Sequence, residues 1–515
     1  VQRLVASAAP PCPGGLGTLG PSTAGRVSAA LRHCQSALFG SVLVAASPTV
    51  SEFRQEELRM ALWALGRGDD LAQVWALLEA AERSDRPLSA LCLSAVLMEC
   101  EQRGLLSREV ALLRGFEGIG SRRAGDANAG ALLGAAALHV AGMRLLLAER
   151  KDDARELLQE AMLRGRANEA SAFFWSVIGD TVTTASGLAP EAFSAILSAD
   201  AVAIPYGAPY SKELRLLLRV LETAHRGDPA SVCAAVESFG ADVLGPSGRW
   251  LKVAGGGKAA VLTSAVRSSP STGSILEIGT YCGFSAIRMA MELPGVRIIT
   301  LEVDPAHVVI ARNIIAFAGL SHTIDVWTGH SKDLLHCLRG RYACGGSTAA
   351  ALELRAVFMD QRGSRYDEDL ATLEGLGLLL PGAVVVADNV LKPGSPLFLW
   401  RLLHGGAYDT EIVRVEEFAM PAEDWMSVST WRAGEALRTE RSSSSSSSES
   451  PPESLLQLQW ESDQMRDQAT RPGGYSVTFA EWSAFAARMR ERLAHVGIEA
   501  TRDASDMEAA ADTKK

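Results

Sequence analysis

The segment 277-EIGTYCGFSA-286 joins a short apolar run, 274-SILEIG-279, to a stretch with helical spacing that begins at Phe284. Gly279 and Gly283 let the backbone turn tightly and approach a ligand, and the N-terminus of the following helix presents N–H groups without intrahelical partners. The spacing is G-x-x-x-G preceded by Glu277, not the G-x-G-x-x-G that cradles a pyrophosphate. A nucleoside that carries an amino acid is better served by such a turn. Glycine pairs also serve the plain geometry of many strand–helix turns. Glu302 tips the balance toward a cofactor site: it ends the next apolar run, twenty-three residues after Gly279, where a carboxylate can receive both hydroxyls of a ribose.

Outward from that turn the same alternation continues. The runs 297-RIITLEV-303, 324-IDVWTG-329, 355-RAVFMD-360 and 383-AVVVAD-388 are short, apolar and often β-branched, and helical segments at 284–293, 305–318 and 367–378 separate strands. This predicts right-handed βαβ crossovers and an α/β fold, a mainly parallel sheet with helices on both faces. The segments 410-TEIVRVEE-417 and 426-MSVSTWR-432 are expected as an antiparallel pair at one edge, which makes seven strands. Asp360 ends the fourth strand and Asp388-Asn389 ends the fifth, so all three project from the carboxyl edge, where ligands bind. A lone Asp at a strand end is commonly a cap or a solvated turn. Two adjacent strands ending in Asp beside the glycine turn suit instead a hard ion such as Mg²⁺, held by two carboxylates and an amide oxygen.

A chain of 515 residues predicts two or three domains. Its net charge of −10 argues against a general nucleic-acid or membrane-surface binder. Eight scattered cysteines with no C-x-x-C pair form neither a disulfide framework nor a zinc site, so reduced thiols in an intracellular, soluble protein are expected. The first acid is Glu52; residues 1–51 resemble an organellar transit peptide or else a disordered leader, which leaves cytoplasm and organelle both open. Residues 52–205 carry helical spacing: Leu58, Leu62 and Leu65, then Val74, Leu77 and Leu78, then 91–100 with Val110 to Leu113, then 132–147 with 153–163. The spacing of these units resembles pentatricopeptide-type repeats, and an irregular helical domain or dimerisation arm fits equally, with a protein partner as its ligand. Residues 437–475, with the serine run 442–448, are expected as a flexible linker, and 476–515 as an amphipathic helix over 478–497 with a disordered tail.

The segments 212-KELRLLLRVLETA-224, Trp250, 276-LEIGTYCGFSAIRMA-290, 300-TLEVDP-305, 314-IIAFAGL-320, 357-VFMD-360 and 387-ADNVLKPGSPLFL-399 resemble the catechol O-methyltransferase family across 206–436. The resemblance implies a Rossmann-like class I methyltransferase fold, S-adenosyl-L-methionine and Mg²⁺ as cofactors, and a catechol-like or phenolic small molecule as methyl acceptor. It implies that Asp360, Asp388 and Asn389 hold the metal and that Glu302 holds the ribose. Gly279, Tyr281 and Ser285 would line the methionine end and Ser331 would lie near the adenine, with Glu277, Gly283 and Gln361 as further cofactor-binding residues. Glu417 and Asn389 would meet the acceptor hydroxyls between Trp250 and Pro393, with Glu417 and Asp360 as the catalytic acids.

One departure bears on the chemistry. The family carries a lysine base three residues after the first metal-binding Asp, whereas this chain reads Asp360-Gln361-Arg362-Gly363. Arg362 could stabilise a phenolate but not take its proton, and Lys332, Lys392 or a water are the substitutes in view. A general base is worth roughly 10²–10⁴-fold. Two other functions therefore stand beside the enzyme: a cofactor-binding scaffold of impaired activity, and a fusion in which the helical region binds RNA. The acidic balance speaks against the second.

Overall fold

The computed structural model describes residues 90–116, 127–150, 152–154, 156–157, 209–338, 352–432, 450–470 and 477–505. The leader, the apolar stretches around Leu58 and Leu77, residues 158–163 and the serine run lie outside the described residues.

The five β-branched runs become β1 (Ser274–Ile278), β2 (Ile298–Glu302), β3 (Ile324–Thr328), β4 (Leu354–Met359) and β5 (Leu379–Ala387). β1 pairs with β2 and β4, β2 with β3, and β4 with β5, all parallel. β7 (Glu423–Trp431) runs antiparallel between β5 and β6 (Tyr408–Glu416), as expected of an edge pair. The count differs from the expected seven. After its last helix the chain returns as a two-residue β8 (Arg502–Asp503), parallel to β6, so the order is β3-β2-β1-β4-β5-β7-β6-β8. The addition caps part of an edge that would otherwise expose unpaired backbone groups.

Helices cover both faces. On one side lie α1 (Ala90–Arg103), α2 (Leu106–Arg114), α3 (Ala127–Leu147), α4 (Ser211–Thr223), α5 (Pro229–Ser238), α6 (Gly257–Ser268), α7 (Phe284–Glu292) and α8 (Pro305–Phe317). On the other lie α9 (Tyr366–Gly375), α10 (Pro396–His404), α11 (Glu453–Thr470) and α12 (Phe479–Ala494). The period of two sorts the strand residues between them. Ile275, Ala356, Phe358, Val384 and Val386 pack with Val261, Ile287 and Ile310; Leu276, Val357, Met359 and Val385 pack with Leu370, Leu399, Leu458 and Phe485.

Helices α1–α3, expected as part of a separate domain or arm, share the first of these cores: Val96, Leu133 and Val140 pack with Ile310 and Ile314. The reason is visible in α3, ANAGALLGAAALHVAGMRLLL, which is apolar around most of its circumference and must be covered. Polar contacts fix the docking. The buried Glu101 carboxylate accepts from Thr328 N at 3.1 Å and Thr328 Oγ1 at 2.8 Å, and pairs with Arg312 at 2.9 Å. Asn313 Nδ2 donates to Ala136 O at 3.1 Å.

The C-terminal part also differs from expectation. Within the stretch expected as linker, α11 buries Leu455, Leu458, Ser462 and Arg466, a helical stripe hidden by the polar residues between them. Helix α12 matches the expected amphipathic helix and begins with a capping box between Thr478 and Glu481. No helix among the described residues is long and apolar enough to cross a membrane.

Replacing Glu101 with Ala removes the acceptor of Thr328 and the nearer carboxylate of Arg312, which keeps Glu109 at 3.9 Å and the Val326 carbonyl. Urea denaturation should show a loss of about 1–3 kcal/mol, the range for leaving a buried donor without its acceptor.

Candidate active site

The strand order reverses at β1, and ligands of such sheets bind outside the carboxyl ends at that point. A cavity of about 450 Å³ lies there. Gly279 makes its floor possible: at φ +105° a Cβ would stand 2.4 Å from the Asp360 carbonyl oxygen, so only glycine lets the ends of β1 and β4 come this close. Tyr281 N and Asp304 N each donate to Glu302 at 2.8 Å and orient its carboxylate at the cavity wall. Burial works against that charge, but His307 and the two amides outweigh it and hold Glu302 below the usual carboxylate range.

Ser331 and Gln361 line the cavity, both tied to Asp369: Ser331 Oγ donates at 2.6 Å and Gln361 Nε2 at 3.0 Å. Gln361 Oε1 is buried and accepts no hydrogen bond, which leaves it available to an amino group.

Three expected cofactor residues are not among those lining the cavity: Glu277, Gly283 and Ser285. Glu277 is fully buried behind the turn, where Ser285 Oγ and Thr300 Oγ1 donate to it. A side chain at Gly283 would press on Ile315, 3.0 Å away. These residues hold the glycine turn from behind. An acid one residue before the end of a strand points to the opposite face from one at the end, and the sequence does not say which face is wet.

Asp360, Asp388, Asn389, Glu417, Trp250 and Pro393 all reach the other end of the cavity. Burial, followed by Asp388, raises Asp360 well above an ordinary carboxyl. Burial first, and then Asp424 and Glu417 against the counteracting Lys258, pushes Asp388 up to about 6. Asn389 Nδ2 donates to Asp424 at 2.8 Å, which leaves the amide oxygen for a ligand.

Lys258, not foreseen from sequence, joins this group. Its ammonium is buried, 2.9 Å from Asp388, 3.0 Å from Glu417 and 3.0 Å from Asp424. Burial opposes its charge, but the three carboxylates raise its pKa well above that of an ordinary lysine. Lys392 Nζ adds a second cation, 2.7 Å from Glu417 Oε2. Burial works to raise Glu417, yet Lys258 and Lys392 prevail and bring it to about 2, so it accepts hydrogen bonds and stays ionised. The run 255-GGGK-258 was a legible hint of Lys258, because glycines before a helix mark close packing. Asp424 carried no such mark. Among the described residues no three His, Cys, Asp or Glu side chains form a metal-holding group. Lys258 instead stands among three of the acids.

Gly363 has a packing reason. A Cβ there would lie 2.2 Å from Ser395 Oγ and 2.6 Å from Arg466 Nη2, so the guanidinium brought by α11 occupies the space of a side chain at this position. Arg362, the neighbour considered as a phenolate stabiliser, pairs with Asp467 at 2.6 Å on the surface. Of the substitute bases, Lys332 is not among the lining residues and Lys392 is committed to Glu417, while Lys252, unforeseen, lines the cavity beside Trp250.

Residues 265–397 match the O-methyltransferase family model. Catechol O-methyltransferase of Bos taurus is 39% identical over 191 residues, which are 37% of this chain and 65% of the relative. Catechol O-methyltransferase B of Danio rerio is 37% identical over 195 residues, 38% of this chain and 69% of the relative. The O-methyltransferase TomG from Streptomyces achromogenes, solved in complex with SAM, has a TM-score of 0.31 at 23% identity, covering 38% of this chain and 89% of its own. This chain belongs to the catechol O-methyltransferase family. It spans about two thirds of the length of the curated relatives it matches.

Burial raises Glu277 from 4.5 to about 7, against the donations from Ser285 and Thr300. The folded chain therefore holds an extra proton between about 4.5 and 7, and this residue's contribution to stability is lost as pH rises through that window. Glu277→Gln should flatten the fall in melting temperature over that range, by the equivalent of roughly 1–3 kcal/mol.

Proposed function

We propose that the chain transfers a methyl group from S-adenosylmethionine to a hydroxyl of a catechol-like or phenolic small molecule, assisted by Mg²⁺. The observation that carries the reading is one cavity that joins Glu302 and the Gly279 turn at one end to Asp360, Asp388, Asn389 and Glu417 at the other.

The residues present fit both absent groups. The unsatisfied Gln361 Oε1 and the doubly oriented Glu302 suit the amino and ribose groups of a nucleoside. Asp360, raised by burial and by Asp388, and Asp388, raised by burial and by Asp424 and Glu417, form an oxygen set that a dication relieves, with the Asn389 carbonyl as third ligand. When bound, the metal supplies Lewis-acid stabilisation of the acceptor oxyanion and the sulfonium supplies the methyl group.

The protein supplies position and charge. Trp250 and Pro393 bracket an aromatic ring, and ionised Glu417 accepts a hydrogen bond from the second hydroxyl. The proton from the reacting oxygen passes to Lys252 Nζ, which lines the cavity beside Trp250 and which no ion pair holds among the described residues. The scaffold reading draws less from Gly363 than the sequence suggested, since packing of Arg466 accounts for the glycine.

Methyl transfer from labelled cofactor to a catechol panel, with Mg²⁺ and with chelator, tests this. Turnover should need the metal and fall about a hundredfold or more in Asp388→Ala. In Lys252→Met, kcat should fall by roughly 10²-fold with cofactor affinity unchanged. Cofactor binding without transfer to any phenolic acceptor would favour the scaffold.

A further inference from the structure

The cavity has a wall that the matched family region does not supply. That match ends at residue 397, whereas α11 and α12 begin at 453 and 479. Arg466, Ala469 and Thr470 from the end of α11, and Trp482 from α12, line the cavity.

Trp482 is 5% exposed and meets Trp250 edge to face, with ring centroids 6.4 Å apart at 63°. The Lys392 ammonium lies 4.9 Å from the Trp250 ring and 5.2 Å from the Trp482 ring while it pairs with Glu417. The second indole is thereby tied to both the aromatic gate and the acid that meets the acceptor. Arg466, also 5% exposed, donates to the Gly394 carbonyl and, at 3.4 Å, to Ser395 Oγ, and Asp463 holds it at 2.6 Å. It clasps the loop that carries Lys392 and Pro393.

We propose that α11 and α12 are the acceptor wall of the active site, with Trp482 setting the size of ring substituent admitted and Arg466 positioning the 389–395 loop. The inference rests on the acceptor reading above. A buried indole is a fixed boundary: it favours a small flat ring and excludes bulk by overlap. The Arg466 clasp needs glycine at 363, where a side chain would displace the guanidinium.

The test uses the full chain with catechol and 4-tert-butylcatechol. Two readouts are taken: methyl transfer from labelled cofactor, and calorimetric binding of each catechol to protein loaded with S-adenosylhomocysteine and Mg²⁺. Trp482→Leu should raise KM and Kd for catechol about tenfold and shift the preference toward the bulky ring by at least about tenfold, with kcat held within about threefold. Trp482→Phe, which keeps a ring against Met420 and Ala422, should shift the preference the same way by about threefold. Gly363→Ala and Arg466→Ala should each lower kcat/KM about tenfold, and Arg466→Lys should recover part of it. Affinity for S-adenosylhomocysteine should stay unchanged throughout. Unchanged preference in both Trp482 variants overturns the inference. If the wild type transfers to neither catechol, the acceptor reading fails while a Trp482-dependent shift in the binding ratio still upholds the wall. If it neither transfers to nor binds either ring, both fall.

Discussion

Buried charge at the carboxyl edge of the sheet is the constraint around which the site is organised. Asp388 at the end of β5, Glu417 just past β6 and Asp424 in β7 crowd into one buried volume with Lys258 from α6, and Asp360 at the end of β4 lies in the same field, which with burial raises it well above an ordinary carboxyl. Such a group is tolerated only when its members are paired and hydrogen-bonded, because each unpaired ion would cost several kcal/mol. The two lysines meet that demand from different elements. Lys258 ties α6 to β5 and the β6–β7 hairpin, and Lys392 ties the loop after β5 to Glu417. The hairpin, the loop and the helix are therefore tied to one another, and this end of the cavity inherits their rigidity.

The C-terminal helices extend this arrangement. Arg466 is itself a buried cation, and it reaches the loop at Gly394 and Ser395 only because Gly363 leaves room. In the sequence, glycine at that position looks like the loss of a functional group. In the structure it is the complement of an arginine about a hundred residues further on. The same helices bring Trp482 onto Trp250 and Arg466 onto Gly394, so a segment outside the matched residues 265–397 shares a wall with the loop inside them.

On the opposite side, α1–α3 belong to the same body as the sheet. Glu101 satisfies the end of β3 at Thr328 and neutralises Arg312 of α8, and the apolar face of α3 completes the cover over α8. The helical region thus braces the sheet through its core and buried polar contacts, and Met98 of α1 packs against Gly329, a residue that lines the cavity.

The alternation of β-branched runs with helical spacing determined five parallel strands and their crossovers, since period and length are local properties of the chain. The Gly279 turn, Glu302, and the Asp360, Asp388 and Asn389 ends were legible for the same reason: a strand end has a known direction, so its residues fall on a known edge. Tertiary structure alone decided that Glu277 and Ser285 face away from the cavity, that Lys258 and Asp424 meet across 166 residues, and that polar-looking 453–470 is a helix whose Arg466 fills the gap at Gly363. Those outcomes depend on which surfaces meet, and burial of charge and volume is a property of the packed molecule that no local period records.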